Sequence, residues 1–261
     1  MCYDISLTSS IKQLDKYFAD TIFDGQLTFN FNLVHNMTHI IGHAHGEHPV
    51  FYIPSTEEIP HCKLMEWGII PFYIKDELAY KKQRTSMLNI RSERILNDAK
   101  SYWNKIKNRR CLIPITGFYE HREVPGFAKK IPYFLGLKEQ QLFFVPGLYS
   151  VTELPDLTTG EMIKRFTYGI ITRPANNLMK QIHNGGENKW RMPLMLPFEL
   201  SKQWLQKDLN HSQYSDILNF EMPASLMNYH TVFTIRSNKL RTDEKEKNEF
   251  YQWGNLPDLV V

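Results

Sequence analysis

The feature that most limits what this 261-residue chain can fold into is a succession of short strand-like stretches broken by Gly and Pro. Leu27, Phe29, Phe31 and Leu33 alternate strictly with Thr28, Asn30 and Asn32, the period-two pattern of a half-buried strand. A short hydrophobic stretch from Pro49 to Pro54 predicts another strand, and 111–115 predicts a third that enters a Thr116-Gly117 turn. Residues 133–151 read as two strands with a turn, 166–172 as a strong strand ended by Arg173-Pro174, and 229–238 as a closing strand and turn. Helical spacing is confined to shorter pieces. Residues 9–22 suit an amphipathic helix capped by Ser9 or Ser10, with Ile11, Leu14 and Phe18 on one face. Shorter helices are predicted from Glu93, through Leu178 to Ile182, and from Phe198 to Leu205 with Trp204. The charge-alternating run Arg241 to Glu249 reads as a solvated helix or tail. With no repeat, low-complexity tract or linker, a single domain over 1–261 is expected, with 239–261 as a C-terminal tail.

Composition narrows the functional classes. Hydrophobic residues make up 42% and charged residues 23%, enough for one sizeable core. No run of about 18 apolar residues exists, so no membrane-spanning helix is predicted. The start is polar by Asp4 and lacks the apolar region of a secretory signal. Three cysteines do not make a disulfide framework, and a reducing cytoplasm is the expected home. A net charge of +3 permits contact with a polyanion without demonstrating it.

Several residues carry possible chemistry. Cys2 follows Met1, and methionine aminopeptidases remove Met1 when the next side chain is small. The mature chain would then present an α-amine, with a pKa of roughly 7.7–8.0, beside a thiol. Both can add to one aldehyde, the amine as an imine and the thiol closing a thiazolidine; the alternative is a small residue at an arbitrary terminus. His35, His39, His43, His45 and His48 have spacings a transition metal could use, but only Glu47 joins them, and no metal site is assigned. Trp67, before a Gly68–Pro71 turn, is either a core anchor or an aromatic platform beside a groove. In an extended 87–93 segment Asn89, Arg91 and Glu93 share a face, either a solvated edge or a substrate- and phosphate-orienting set. Lys105, Lys107, Arg109 and Arg110 form a basic run, read as a solvated face or a phosphate contact. Glu120 follows an apolar strand and two aromatics, where a carboxyl has a raised pKa; it could instead pair with Arg91. His183, on a loop beside Gly185-Gly186 with Arg191 beyond, suits acid–base or electrostatic work.

The order of these pieces resembles the SRAP family, the SOS-response-associated peptidase-like proteins. The resemblance rests on Cys2, the WGIIP segment at 67–71, MLNIRSE at 87–93, CLIPITGFYE at 111–120, and the Ile182-His183 pair followed by Arg191-Met192-Pro193. It runs from Cys2 to about Asn238. It implies an α+β fold in which curved antiparallel β-sheets form a barrel-like core with peripheral helices. It also implies covalent capture of abasic sites in single-stranded DNA, without a cofactor, by a protein expected to be a monomer. By matching motif positions, Cys2 would form the crosslink, Asn89 would orient it or the substrate, Glu120 would be the acid–base residue, and His183 would assist at the opened sugar. Arg91 would hold phosphate, and Trp67, Thr172 and Arg191 would contact the DNA. An imine intermediate would permit weak strand cleavage. A cysteine peptidase, with Cys2 as nucleophile and self-removal of Met1 as one form of its activity, and a non-covalent single-stranded DNA binder are the competing readings.

Two departures stand out. The family commonly opens Cys-Gly-Arg, whereas this chain has Cys2-Tyr3-Asp4, and Asp4 would repel phosphate unless paired. A Gly-Gly-Glu-Asn-Lys-Trp insertion at 185–190 separates His183 from Arg191 and could reshape one wall of a DNA groove.

Overall fold

A computed structural model describes residues 2–8, 17–18, 20–24, 37–236, 241 and 243–260. The strand expected over 27–33, most of the helix expected over 9–22, and His35 lie outside the described residues. That helix does not reach 22, because Ile22–Phe23 form a strand, β2.

The strand-rich stretches assemble into a closed barrel. Its members are β4 (Glu47–Tyr52), β5 (His61–Trp67), β7 (Arg110–Ile115), β10 (Phe143–Pro155) and β11 (Met162–Pro174). Antiparallel ladders run β11–β10–β7–β4–β5. The ring then closes through a parallel pair, Glu66 with Thr167 and Trp67 with Tyr168, which an all-antiparallel expectation does not contain. Closure leaves no exposed edge on the ring. Phe51, Met65, Leu112, Phe144 and Tyr168, one from each strand, are fully or almost fully buried.

Trp67 is the anchor of the closing pair. Its indole stacks on Tyr168, with centroids 6.1 Å apart, and its Nε1–H donates to the Leu88 carbonyl at 3.0 Å. The next residue, Gly68, has φ +105°, and a Cβ there would lie 2.6 Å from His45 Nδ1. Only glycine tolerates both constraints. Trp67 therefore belongs to the core, and the expectation that it contacts DNA is overturned, because it exposes no surface.

A second, antiparallel sheet leans on the barrel in the order β13–β9–β8–β1–β3. These strands are β13 (Met227–Thr231), β9 (Ile131–Leu137), β8 (Gly117–Arg122), β1 (Asp4–Leu7) and β3 (Met37–Ile41). The chain crosses from barrel to sheet at Thr116, whose N–H donates to the Ser6 carbonyl at 2.7 Å. The result is one α+β body. Of the helices, α1 spans Glu77–Arg84, α2 Glu93–Leu96, α3 Tyr102–Lys105, α4 Asn177–Ile182, α5 Phe198–Leu205 and α6 His211–Asn219. None of the described helices is long and apolar enough to cross a membrane.

Two charged segments differ from the solvated faces their sequence suggests. Arg110 is buried and donates to the carbonyls of Trp204, Gln206 and Lys207, satisfying the orphan acceptors at the end of α5. Arg241 binds Asp243 and the carbonyls of Glu246, Glu249 and Phe250, so the segment after it is a hydrogen-bonded turn and not a solvated helix. The C-terminal residues are held to the body, with Trp253 Nε1–H donating to the Val232 carbonyl and Arg122 to that of Pro257.

Candidate active site at the N-terminal cysteine

The register of the second sheet sets the site. In β1 and β8, Ile5 pairs with Phe118 and Ser6 with Gly117. Continuing that antiparallel register by two residues brings Glu120 level with Tyr3, beside Cys2. Glu120 is nearly fully buried, and its Oε1 accepts the His121 N–H at 3.1 Å. Burial pushes its pKa from an ordinary 4.5 up to about 7, although the positive chain terminus and the His121 hydrogen bond pull the other way. It does not pair with Arg91.

His183 meets Glu120 from the opposite wall. Asn176 caps α4 by accepting the Met179 N–H, and the helix ends at His183. The His183 Nδ1 lies 2.8 Å from the Arg191 carbonyl and 3.8 Å from Glu120 Oε2. An Nδ1–H tautomer donates to that carbonyl and fixes the ring. Burial, then the positive terminus, pulls its pKa down to about 4, so the imidazole is neutral near pH 7. Cys2 itself is 1% exposed; burial, and secondarily Glu120, drive its thiol far above the usual range.

The insertion leaves the Arg191 backbone in contact with His183. Residues 184–190 form a loop that returns on itself, with the Trp190 N–H donating to the His183 carbonyl at 2.8 Å. Arg191 then pairs in β12 (Arg191–Pro193) with Pro174 of β11. Its guanidinium forks onto the Glu93 carboxylate and donates to the Thr172 carbonyl. This corrects the expectation for two residues. Thr172 is fully buried, and Arg191 is a buried clamp between β11, β12 and α2 whose backbone carbonyl orients His183. Neither side chain is presented to a DNA phosphate.

Asp4 is paired. Its carboxylate accepts from His39 at 2.8 Å and from Arg236 Nη2 at 2.5 Å and Nε at 3.2 Å. Burial acts to raise the Asp4 pKa, but the bonds from His39 and Arg236 outweigh it and hold the group below its ordinary value. Arg236, with its side chain about half exposed, lines a cleft of about 370 Å³ together with Glu120, His183, Lys130 and Asn188. The sequence offered no local signal for this residue, since 232 positions separate it from Asp4.

Asn89 and Arg91 occupy the adjoining cavity. They lie on β6 (Asn89–Arg91), a short strand pairing parallel with β11. Arg91 is exposed and donates to Asn188 Oδ1 at 3.2 Å, so the inserted loop steadies it without neutralising it. Asn89 is 5% exposed, and both polar atoms of its side chain are buried without a hydrogen-bond partner among the described residues. Such an orphaned amide is costly in an interior and fits a group awaiting a ligand. Tyr73 and Tyr102 line the same cavity of about 350 Å³, and Asn188 belongs to both depressions. Tyr73 on this cavity is exposed, as is Phe72 beside it, immediately after the WGIIP turn.

The four described histidines of the 39–48 cluster have separate partners. His39 binds Asp4, His43 packs on Tyr3, His45 meets the Trp67 carbonyl and His48 meets the Tyr168 hydroxyl.

The site thus sets a buried cysteine near the start of the chain close to a buried carboxyl and a buried histidine, at the junction of the barrel and the second sheet. The family model for SOS response associated peptidase (SRAP) matches residues 1–239, and the chain belongs to that family. It is 36% identical over 142 residues to the abasic site processing protein YoqW of Bacillus subtilis, covering 54% of this chain and 55% of that protein. It is 32% identical over 172 residues to the abasic site processing protein YobE of the same organism, covering 66% and 70%. The abasic site processing protein HMCES of Gallus gallus matches at 28% over 202 residues, covering 70% and 55%. The match therefore spans about half the length of YoqW and of the HMCES protein. A crystal structure of a protein from Bacteroides thetaiotaomicron superposes with a TM-score of 0.74 at 26% identity, covering 95% of this chain and 97% of that one.

Proposed function

We propose that this protein captures abasic sites in single-stranded DNA by a covalent bond from Cys2, shielding the lesion. The observation that carries the reading is Glu120, a buried carboxyl with a pKa of about 7 that lines one cleft with His183 and with Tyr3, the neighbour of Cys2. The names of the relatives, all abasic site processing proteins, supply the substrate class.

With Met1 removed, the Cys2 α-amine adds to the C1′ aldehyde of the ring-opened sugar. Glu120 protonates the carbonyl oxygen and recovers a proton from the new ammonium. A second transfer from Glu120 releases that oxygen as water and leaves a protonated imine. The thiol then adds to C1′, its proton returning to the Glu120 carboxylate, and a five-membered thiazolidine closes. The net change is the loss of one water, with no oxidant or reductant. A carboxyl titrating near 7 can give and take protons at each step. His183, neutral at this pH, serves as a hydrogen-bonding partner for the opened sugar hydroxyl, and Glu120 is the proton carrier. Asn89 and Arg91 would hold the neighbouring sugar and phosphate, with the sugar drawn out of any stack to reach the buried terminus. The imine could also undergo β-elimination, giving weak lyase activity.

The peptidase alternative needs a Cys2 thiolate beside an imidazolium. Burial moves both groups the wrong way, raising the thiol and lowering the histidine.

The test is a denaturing gel of protein mixed with a single-stranded oligonucleotide carrying one abasic site. Wild type should give a shifted band, while Cys2→Ala and a variant with an extra N-terminal residue should not. A band of wild-type intensity from Cys2→Ala would refute the reading.

A further inference from the structure

A second cationic site lies beyond the aromatic end of the Asn89–Arg91 cavity. It is a cavity of about 500 Å³ whose lining includes Lys105, Arg109, Arg110, Lys207, Asn108 and Tyr149. No carboxylate among the described residues lines it: Glu58 reaches Lys207 at 2.7 Å, and Asp208 acts on Arg110, both from outside the lining. Arg110 gives its hydrogen bonds to backbone carbonyls and so keeps its charge uncompensated by a contacting acid. Nη1 of Arg109 is buried and has no acceptor among the described residues. A buried guanidinium nitrogen without an acceptor, in a cavity lined by four cations, calls for an anion.

The surroundings identify which anion. The Arg109 guanidinium lies over the Phe72 ring, 5.6 Å from its centroid. Phe72 contacts Tyr73 and Tyr102, with centroids 5.6 and 6.0 Å away. Tyr73 and Tyr102 in turn line the cavity of Asn89 and Arg91. A file of partly exposed rings therefore leads from the candidate active site to the second cationic cavity. Alternating stacking surfaces and cations are what a single-stranded nucleic acid engages without reading its sequence.

We infer that the Lys105–Arg109 cavity is a second phosphodiester site, holding the same DNA strand several nucleotides from the lesion while intervening bases stack on Phe72 and Tyr73. The inference rests on the proposed capture of abasic DNA and extends its footprint. The bond to C1′ would need no help from this site, which would act on affinity alone.

The test compares wild type with Lys105→Gln/Arg109→Gln by fluorescence anisotropy, using abasic oligonucleotides that are either long or limited to the lesion and its immediate neighbours. Each lost phosphate contact flattens the log–log salt slope by about 0.7 for a single strand, about 5-fold in affinity at about 0.1 M salt. The double variant should bind the long strand about 25-fold more weakly, with a slope flatter by about 1.4. It should bind the short strand as wild type does and reach the wild-type capture rate at saturating DNA. Wild-type affinity and slope on the long strand would overturn the inference while leaving capture intact, provided wild type crosslinks. Equal loss on both lengths would also overturn it, as damage to the fold. A wild-type protein with no affinity for single-stranded DNA would overturn both the inference and the capture reading.

Discussion

Glu120→Gln should make the protein more stable at neutral and alkaline pH while disabling it. The carboxyl has a pKa of about 7 when folded against an ordinary value of 4.5. Because the folded value is raised, the group's contribution to stability is fully present below pH 4.5 and is lost as pH rises through 7. The accumulated cost at pH 8 is about 3 kcal/mol. Glutamine carries no charge to desolvate and keeps an oxygen to accept the His121 N–H, so most of that cost should disappear. For a chain of this size about 3 kcal/mol corresponds to about 6 °C in Tm. Thermal and urea unfolding of the two proteins at pH 4.5 and pH 8 measures the difference. The variant should unfold later at pH 8, nearly together with wild type at pH 4.5, and should fail to form the crosslinked band. A variant no more stable than wild type at pH 8, or a gap that does not narrow in acid, would refute the burial argument for Glu120.

Other substitutions separate the core from the groove. Trp67→Ala should destabilise the fold by about 3–5 kcal/mol, through the cavity and the orphaned Leu88 carbonyl, read by urea unfolding. Tyr73→Ala, at an exposed ring, should leave stability nearly unchanged and weaken single-stranded DNA binding by about 1–3 kcal/mol, read by anisotropy. Asp4→Asn should loosen Arg236 and lower affinity for DNA, read in the same assay. It should also remove a stabilisation that wild type holds above the ordinary carboxylate pKa and loses as pH falls through the depressed Asp4 value, visible as a flatter stability profile in acid.

What the sequence disclosed follows from how local each signal is. Glu120 was legible because an apolar strand, a turn and two aromatics already imply a buried carboxyl, and the β1–β8 register carries it to Cys2. His183 was legible from its loop, though not the depression of its pKa, which comes from burial and then the positive terminus, against the opposing hydrogen bond to the Arg191 carbonyl. Trp67 was misplaced because a tryptophan before a Gly turn can face either way; the parallel closure onto Tyr168, a hundred residues distant, decides that it faces inward. Arg191 was misassigned for a similar reason. A fork onto Glu93, 98 positions away, consumes the charge that would otherwise suit a phosphate. The Asp4–Arg236 pair was invisible because neither residue has a neighbour in sequence that announces the other. Local pattern thus gave strands and candidate chemistry, while long-range pairing determined which side chains remain available.

In the proposed capture one residue, Cys2, supplies both the amine and the thiol. Mass spectrometry of the crosslinked species, followed by alkylation of its peptides, tests it directly. The expected adduct has the mass of the protein without Met1 plus the oligonucleotide minus one water, and is attached at Cys2, whose thiol no longer alkylates. An adduct on a chain that retains Met1, or a Cys2 thiol that still alkylates in the crosslinked peptide, would contradict it.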